Sequence, residues 1–232
     1  MLIDGSLNSR TAFCHDPYPG ITGDDARGLL TQDPEALSAN ISRAARHGIR
    51  YAVHAIGDRA NTLALDCFEK AGVGGRIEHA QLVDADDLPR FARLGVIASV
   101  QPSHAVEDRD VADTHWADRI DKAFPYRALA DAGATLEMGS DAPVSRLDPW
   151  HTIRSAVTRT DDDRPAWHPE QSMTVAEALA ASTGGLLHLA VGDPADLILV
   201  DGDPADLDPA GLDDIQVLAT LVAGRVVHRR QL

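Results

Sequence analysis

Tyr51-Ala52-Val53-His54-Ala55-Ile56-Gly57-Asp58-Arg59-Ala60-Asn61 decides how the rest of the chain is read. Arg50 to Val53 supply a short buried strand, and the strand runs into a histidine. Gly57 allows a sharp turn, and Asp58 is placed to cap the backbone N–H groups of the helix that follows. A histidine at the carboxyl end of a strand that feeds a helix occupies the position where β/α folds keep their chemistry.

The pattern recurs downstream. Gly75-Arg76-Ile77-Glu78-His79 is a strand-like run that ends in a histidine, and Glu137-Met138-Gly139-Ser140-Asp141 carries a strand into an aspartate. Between and around these runs the spacing predicts helices over Pro34 to His47, Arg59 to Lys70, Asp86 to Leu94, Pro125 to Asp131, Pro149 to Thr158 and Thr174 to Ser182. In the second of these, Leu63, Cys67 and Ala71 share a face. Val96 to Val100 is a β-branched, apolar strand, and Ala134 to Gly139 is another. Apolar strands alternating with helices imply a parallel sheet covered by helices. Residues 13 to 32 and Gln101 to Phe124 read as irregular; a loop as long as the second is usually functional. Past Gly184-Gly185 the pattern changes to a strand at Ala195 to Val200 and a hairpin, Ile215 to Val222 with Arg225 to His228. The expected division is a β/α region over residues 1–185 and a small β segment over 186–232.

Composition bounds the function. The 232 residues are 44% hydrophobic, enough for a sizeable core, and carry a formal net charge of −15. That balance argues against a nucleic-acid partner, which needs a basic face. The acidic runs, such as Asp161-Asp162-Asp163, read as solvated loops and caps. Two cysteines, Cys14 and Cys67, lack zinc-type spacing and suggest no disulfide framework. No basic, apolar leader opens the chain, and no apolar run reaches the ~20 residues of a membrane span. A cytoplasmic protein without a membrane partner is the expectation.

His54, His79 and Asp141 form a candidate metal set, since catalytic zinc takes three ligands from His and carboxylates and keeps a position for water. A bound cation lowers the pKa of its water and polarises a carbonyl. Asp141 is the candidate to accept the water proton and pass it to a leaving nitrogen. The competing reading is that each strand-end histidine is a hydrogen-bonded structural residue. His104 follows a strand end, and Arg146 lies just past Asp141; both are candidates to meet substrate, or else a solvated loop residue and a packing residue. Asp58 and Arg59 read as a cap and a local ion pair, and Glu78 as pointing toward the helices.

On these residues the sequence resembles the metal-dependent amidohydrolase superfamily, and within it amidohydrolase family 3, the branch with N-substituted formamide deformylase-like enzymes. The matching runs are Asp4 to Ala12, His54 to Asn61, Arg76 to Gln81, Ser99 to Ala105, Gly139 to Trp150 and Ala195 to Asp201. The resemblance implies a TIM (β/α) barrel with a small β domain, and hydrolysis of carbon–nitrogen bonds other than peptide bonds, such as amides or formamides. By motif it makes His54 and His79 metal ligands, and Asp141 a ligand and proton shuttle, with zinc as the expected metal. The first-strand H-x-H of the family is absent from this sequence. The expected fold is therefore the C-terminal half of a barrel followed by a β tail. Such a half is a fragment of a longer product, a subunit completed by an N-terminal half on another chain, or a self-pairing homo-oligomer. Two further functional readings stand beside the hydrolase: a non-catalytic, metal-binding or oligomerising scaffold, and an unrelated open α/β sheet.

Overall fold

The computed structural model describes residues 1–230. Its centre is a parallel sheet of four strands in the order β1 (Ala52–Ala55), β2 (Gly75–His79), β3 (Val96–Val100) and β4 (Leu136–Met138). Helices connect them: α1 (Pro34–Arg46) precedes β1, α2 (Asp58–Ala71) follows it, and α3 (Leu88–Leu94) lies between β2 and β3. The expected loop over 101–124 is instead largely helical. It holds α4 (Pro102–Glu107), α5 (Arg109–His115) and a 3-10 turn at Ile120–Lys122. Pro102 starts α4 at the position where a missing N–H costs nothing, and Ala105, Ala112 and Trp116 bury the pair's inner side. Then come α6 (Tyr126–Asp131), β4, α7 (Pro149–Thr158) and α8 (Val175–Ser182). The sequence thus folds as a partial β/α barrel with a β tail, as the motifs imply.

Local chemistry sets the element ends. Asp33 caps α1 by accepting from the Ala36 N–H at 3.0 Å, and Pro34 takes the first turn. Thr174 caps α8 in a reciprocal box with Glu177. The third helix starts at Leu88, not Asp86, because Pro89 fits only a first turn. The first strand runs to Ala55, two residues past the expected end. Its register pairs Val53 with Ile77, His54 with Glu78 and Ala55 with His79, so the partner strand extends it.

That register sorts the two faces of the sheet. Val53, Ala55, Ile77, Ala98 and Val100 are fully buried against the helices. A Cβ on Gly75, on the same side, would meet the Phe68 ring of α2 at 2.2 Å. The valine and isoleucine side chains each contribute about 1.5–3 kcal/mol by their burial, and the alanines less. The apolar buried face of α2 is Ala60, Ala64, Leu65, Cys67 and Phe68; of the expected Leu63–Cys67–Ala71 stripe Cys67 is buried and Ala71 packs on the core, while Leu63 is half-buried.

The opposite face carries His54, Arg76, Glu78, Ser99 and Glu137. Glu78 therefore points away from the helices, against expectation. Arg76 pairs with Glu78 at 2.8 Å and Glu137 at 2.6 Å, and donates to Ser99 Oγ at 2.9 Å. Leu2 bridges to His54 on the outer side of β1, in parallel. The outer edge of β4 has no strand partner among the described residues.

A second sheet, antiparallel, joins β5 (Leu197–Val200), β6 (Val217–Val222) and β7 (Arg225–Arg229) in sequence order. The 3-10 helix Pro209–Asp214 buries Leu212 in the main core, and Ile215 follows it there. No helix among the described residues is long and apolar enough to cross a membrane.

Candidate metal centre

The site lies at the carboxyl ends of the parallel strands. His54 comes from the last turn of β1, on the polar face. By strand alternation His79 would join Ile77 against the helices. Its backbone leaves the pleat instead: φ is 79° at His79 and 44° at Ala80, both left-handed. A non-glycine residue there is strained, and such strain is concentrated at functional sites. The His79 ring then stands edge-on to His54, with centroids 4.6 Å apart, and stacks on His104 at 5.8 Å. Asp141 also has a positive φ, 56°, just past β4.

His79, His104 and Asp141 each offer a ligand atom, and those atoms lie within 4.8 Å of one another. His54 stands outside that group of three, beside His79. His104 Nε2 is buried without a hydrogen-bond partner, 4.0 Å from Asp141 Oδ2. Gln81 Nε2 can only donate to His104 Nδ1, at 3.3 Å, which in a neutral ring puts the proton on Nε2, so His104 presents an N–H toward Asp141, while the His79 imidazole and the Asp141 carboxylate are donors that suit a divalent cation. Burial, together with the neighbouring His54 and His104 rings, lowers the His79 pKa to about 3, so this imidazole is neutral, as a metal ligand must be.

Other expected residues are placed elsewhere. Arg146 does not enter the cluster: its guanidinium reaches Asp213 at 3.2 Å and Asp148 at 3.3 Å. The N-cap residue of α2 is Gly57, but Asp58 Oδ1 does accept from the first-turn Arg59 N–H at 2.9 Å, as expected; it also accepts from the His15 N–H at 2.8 Å, and the carboxylate faces Lys122 at 3.6 Å. Arg59 lies over the Phe13 ring at 4.7 Å rather than on Asp58. Gly57 has an ordinary extended backbone, φ −71° and ψ 155°. Glycine is needed there because a Cβ would stand 2.1 Å from the Phe13 carbonyl oxygen.

Three residues that sequence reasoning passed over complete the site. Asp4 is 1% exposed, and its Oδ1 lies 3.1 Å from His54 Nδ1. Gln101 Oε1 lies 2.7 Å from His79 Nδ1, and Gln81 Nε2 lies 3.3 Å from His104 Nδ1. Asp4, Gln81 and Gln101 all fall inside runs that carried the resemblance, and Gln101 directly follows a strand. An acidic residue right after Leu2-Ile3, at a strand end like the histidines, was the available signal.

The profile of the Amidohydrolase family matches residues 1–228, almost the whole described chain. The chain belongs to the amidohydrolase family. It is 35% identical over 228 residues to Protein LONG AFTER FAR-RED 3 of Arabidopsis thaliana, covering 94% of this chain and 37% of that protein. It is 29% identical over 206 residues to N-substituted formamide deformylase of Arthrobacter pascens, covering 81% of this chain and 38% of that one. Among solved structures, an uncharacterized metal-dependent hydrolase from Pyrococcus furiosus superposes with a TM-score of 0.71 at 36% identity, over 79% of this chain and 38% of that one. This amidohydrolase chain thus spans less than half the length of the curated relatives it matches.

Proposed function

We propose that the chain carries part of the active site of a metal-dependent hydrolase that cleaves carbon–nitrogen bonds other than peptide bonds, in amides or formamides, with metal-activated water. The observation that carries this reading is the convergence of His79, His104 and Asp141, with His54 alongside, at the carboxyl ends of one parallel sheet. The family and its metal-dependent structural neighbours support it. His54, His79 and Asp141 would hold the cation, zinc by the chemistry of the donors, and His104 would face the substrate. When bound, the cation polarises a carbonyl and makes water acidic. Asp141, whose side chain is 42% exposed, is open to solvent and placed to accept a proton and return it to the leaving nitrogen. Arg146, held by Asp148 and Asp213, enters this proposal only at the rim.

A second reading, a non-catalytic metal-binding or oligomerising scaffold, is favoured by one observation: among the described residues the outer edge of β4 has no strand partner, and unpaired edges recruit other strands. A further copy or an N-terminal half would be the partner. The division at residue 185 and a cytoplasmic setting belong to the same proposal; two buried, free cysteines support the latter.

Zinc titration of the chelator-stripped chain by calorimetry, beside an amide and formamide hydrolysis screen, tests it. Stoichiometric uptake lost in His54→Ala and His79→Ala, with turnover, is the expected result. Uptake without turnover selects the scaffold. No uptake at all refutes the metal centre. Uptake that survives His54→Ala but not His104→Ala moves the ligand set to His79, His104 and Asp141.

A further inference from the structure

The protons on two rings at the site are dictated by their neighbours. The Asp4 carboxylate collects backbone N–H groups: Oδ2 accepts from Phe13 at 3.0 Å and Gly57 at 2.9 Å, and Ile56 N lies 3.1 Å from Oδ1 and 3.2 Å from Oδ2. Surrounded by donors, this carboxylate acts only as an acceptor. The His54 Nδ1 at 3.1 Å must therefore donate to it. In a neutral imidazole, a proton on Nδ1 leaves a bare lone pair on Nε2.

Gln101 makes the same choice for His79. Its Nε2 donates to the Ser99 carbonyl at 3.2 Å. A carbonyl can only accept, so the amide is oriented with Oε1 toward His79 Nδ1. Tyr126 donates its hydroxyl to the Gln101 carbonyl at 3.2 Å and holds that residue in place.

We propose that Asp4 is a positioning residue that sets the tautomer of His54, so that a lone pair on Nε2, not an N–H, is offered to a divalent cation. The proposal rests on the reading of His54 as a ligand, yet its first readout requires no cation. Asp4 lies outside the cluster of His79, His104 and Asp141. It acts through the ring it orients, as carboxylates behind ligating histidines do.

The geometry also foretells what Asp4→Asn does. Phe13 and Gly57 both donate to the Oδ2 position, so the asparagine oxygen settles there. Its NH2 then occupies the Oδ1 position and donates to His54 Nδ1. The ring proton is driven to Nε2, where it blocks the ligand position. Phe13 and Gly57 keep their acceptor and Ile56 N–H keeps its longer contact to the Oδ2 position, losing only the one to Oδ1, so the fold survives.

The test is long-range 1H–15N correlation spectroscopy on the full, metal-free chain with 15N-labelled histidine, at a pH where the rings are neutral. The wild type is expected to show His54 protonated on Nδ1, and Asp4→Asn to show it on Nε2. Zinc titration of the same samples is expected to weaken by about 10–100-fold in the variant, with an unchanged circular dichroism spectrum. A wild-type His54 protonated mainly on Nε2 overturns the proposal, and this spectrum decides the matter even if Asp4→Asn does not fold. An unchanged tautomer in a folded variant overturns it too. A chain that shows the expected tautomer but takes up no zinc refutes the metal reading and leaves the Asp4 assignment standing.

Discussion

Replacing Gly57 with alanine should loosen the site without touching any candidate ligand. The added Cβ would stand 2.1 Å from the Phe13 carbonyl oxygen and 2.5 Å from its carbon, where ordinary contact begins at 3.4 Å. Those are main-chain atoms, so relief requires the Phe13 segment to retreat by about 1 Å or more. That movement stretches two bonds: Ala60 N–H to the Phe13 carbonyl, now 3.0 Å, and Phe13 N–H to Asp4 Oδ2, also 3.0 Å. The first is worth about 1 kcal/mol, and the second, to a charged acceptor, about 1.5–3 kcal/mol. Removing a glycine from the unfolded chain returns about 0.4–1 kcal/mol. The net loss is about 2.5 kcal/mol, or about 5–10 °C in Tm at 2–4 °C per kcal/mol for a chain of this size. Urea denaturation followed by circular dichroism measures it. Gly211→Ala is the control, since its Cβ meets nothing within 4 Å and its φ is not positive. A Gly57→Ala midpoint within about 0.5 kcal/mol of the wild type would refute the close-approach argument.

Acid should destabilise the metal-free chain through His79. The folded ring stays neutral down to about pH 3 because it is buried beside two other imidazoles, while an unfolded histidine binds a proton below about pH 6.5. The unfolded state thus holds more protons in that window, so stability is complete above it and falls as pH drops toward 3, by at most ~1.4 kcal/mol per pH unit. Urea midpoints at pH 7 and 5 should differ in the wild type and converge in His79→Gln; parallel slopes would show that another group titrates. Thr174→Ala removes the hydroxyl that accepts from Glu177 N–H at 3.2 Å and should cost about 1 kcal/mol, read as a lower thermal midpoint; no change would mean that Glu177, paired to Arg127 at 2.7 Å, holds the helix start unaided.

Much of this architecture was legible because the determinants are local. Pro34, Pro149 and Thr174 mark helix starts, and the Val96–Val100 run matches its strand end for end. The positions of His54, His79 and Asp141 at strand ends were legible too. What stayed hidden depends on residues far apart in sequence. Glu78 was expected to face the helices because alternation was counted back from His79; the left-handed backbone at His79 and Ala80 breaks that count. Asp4 read as loop because its partners, His54, Ile56 and Gly57, lie some fifty residues away. The Gln101 to Phe124 stretch hid two short helices, because six- and seven-residue segments carry too little periodicity to show.

The ionic cluster on the polar face of the sheet has a bearing on assembly. Arg76 and Glu78 sit on β2 and Glu137 on β4, with Ser99 of β3 between them, and Arg76 reaches both Ser99 and Glu137 only when Glu78 lies opposite Ser99 and Ser99 opposite Glu137. A slip of any strand by one residue would turn its charges into the greasy layer beneath Phe68 and Phe91, where an unmatched ion is ruinous. The cluster therefore proofreads strand alignment: the threading that satisfies its charges is the same one that brings the histidines beyond it together.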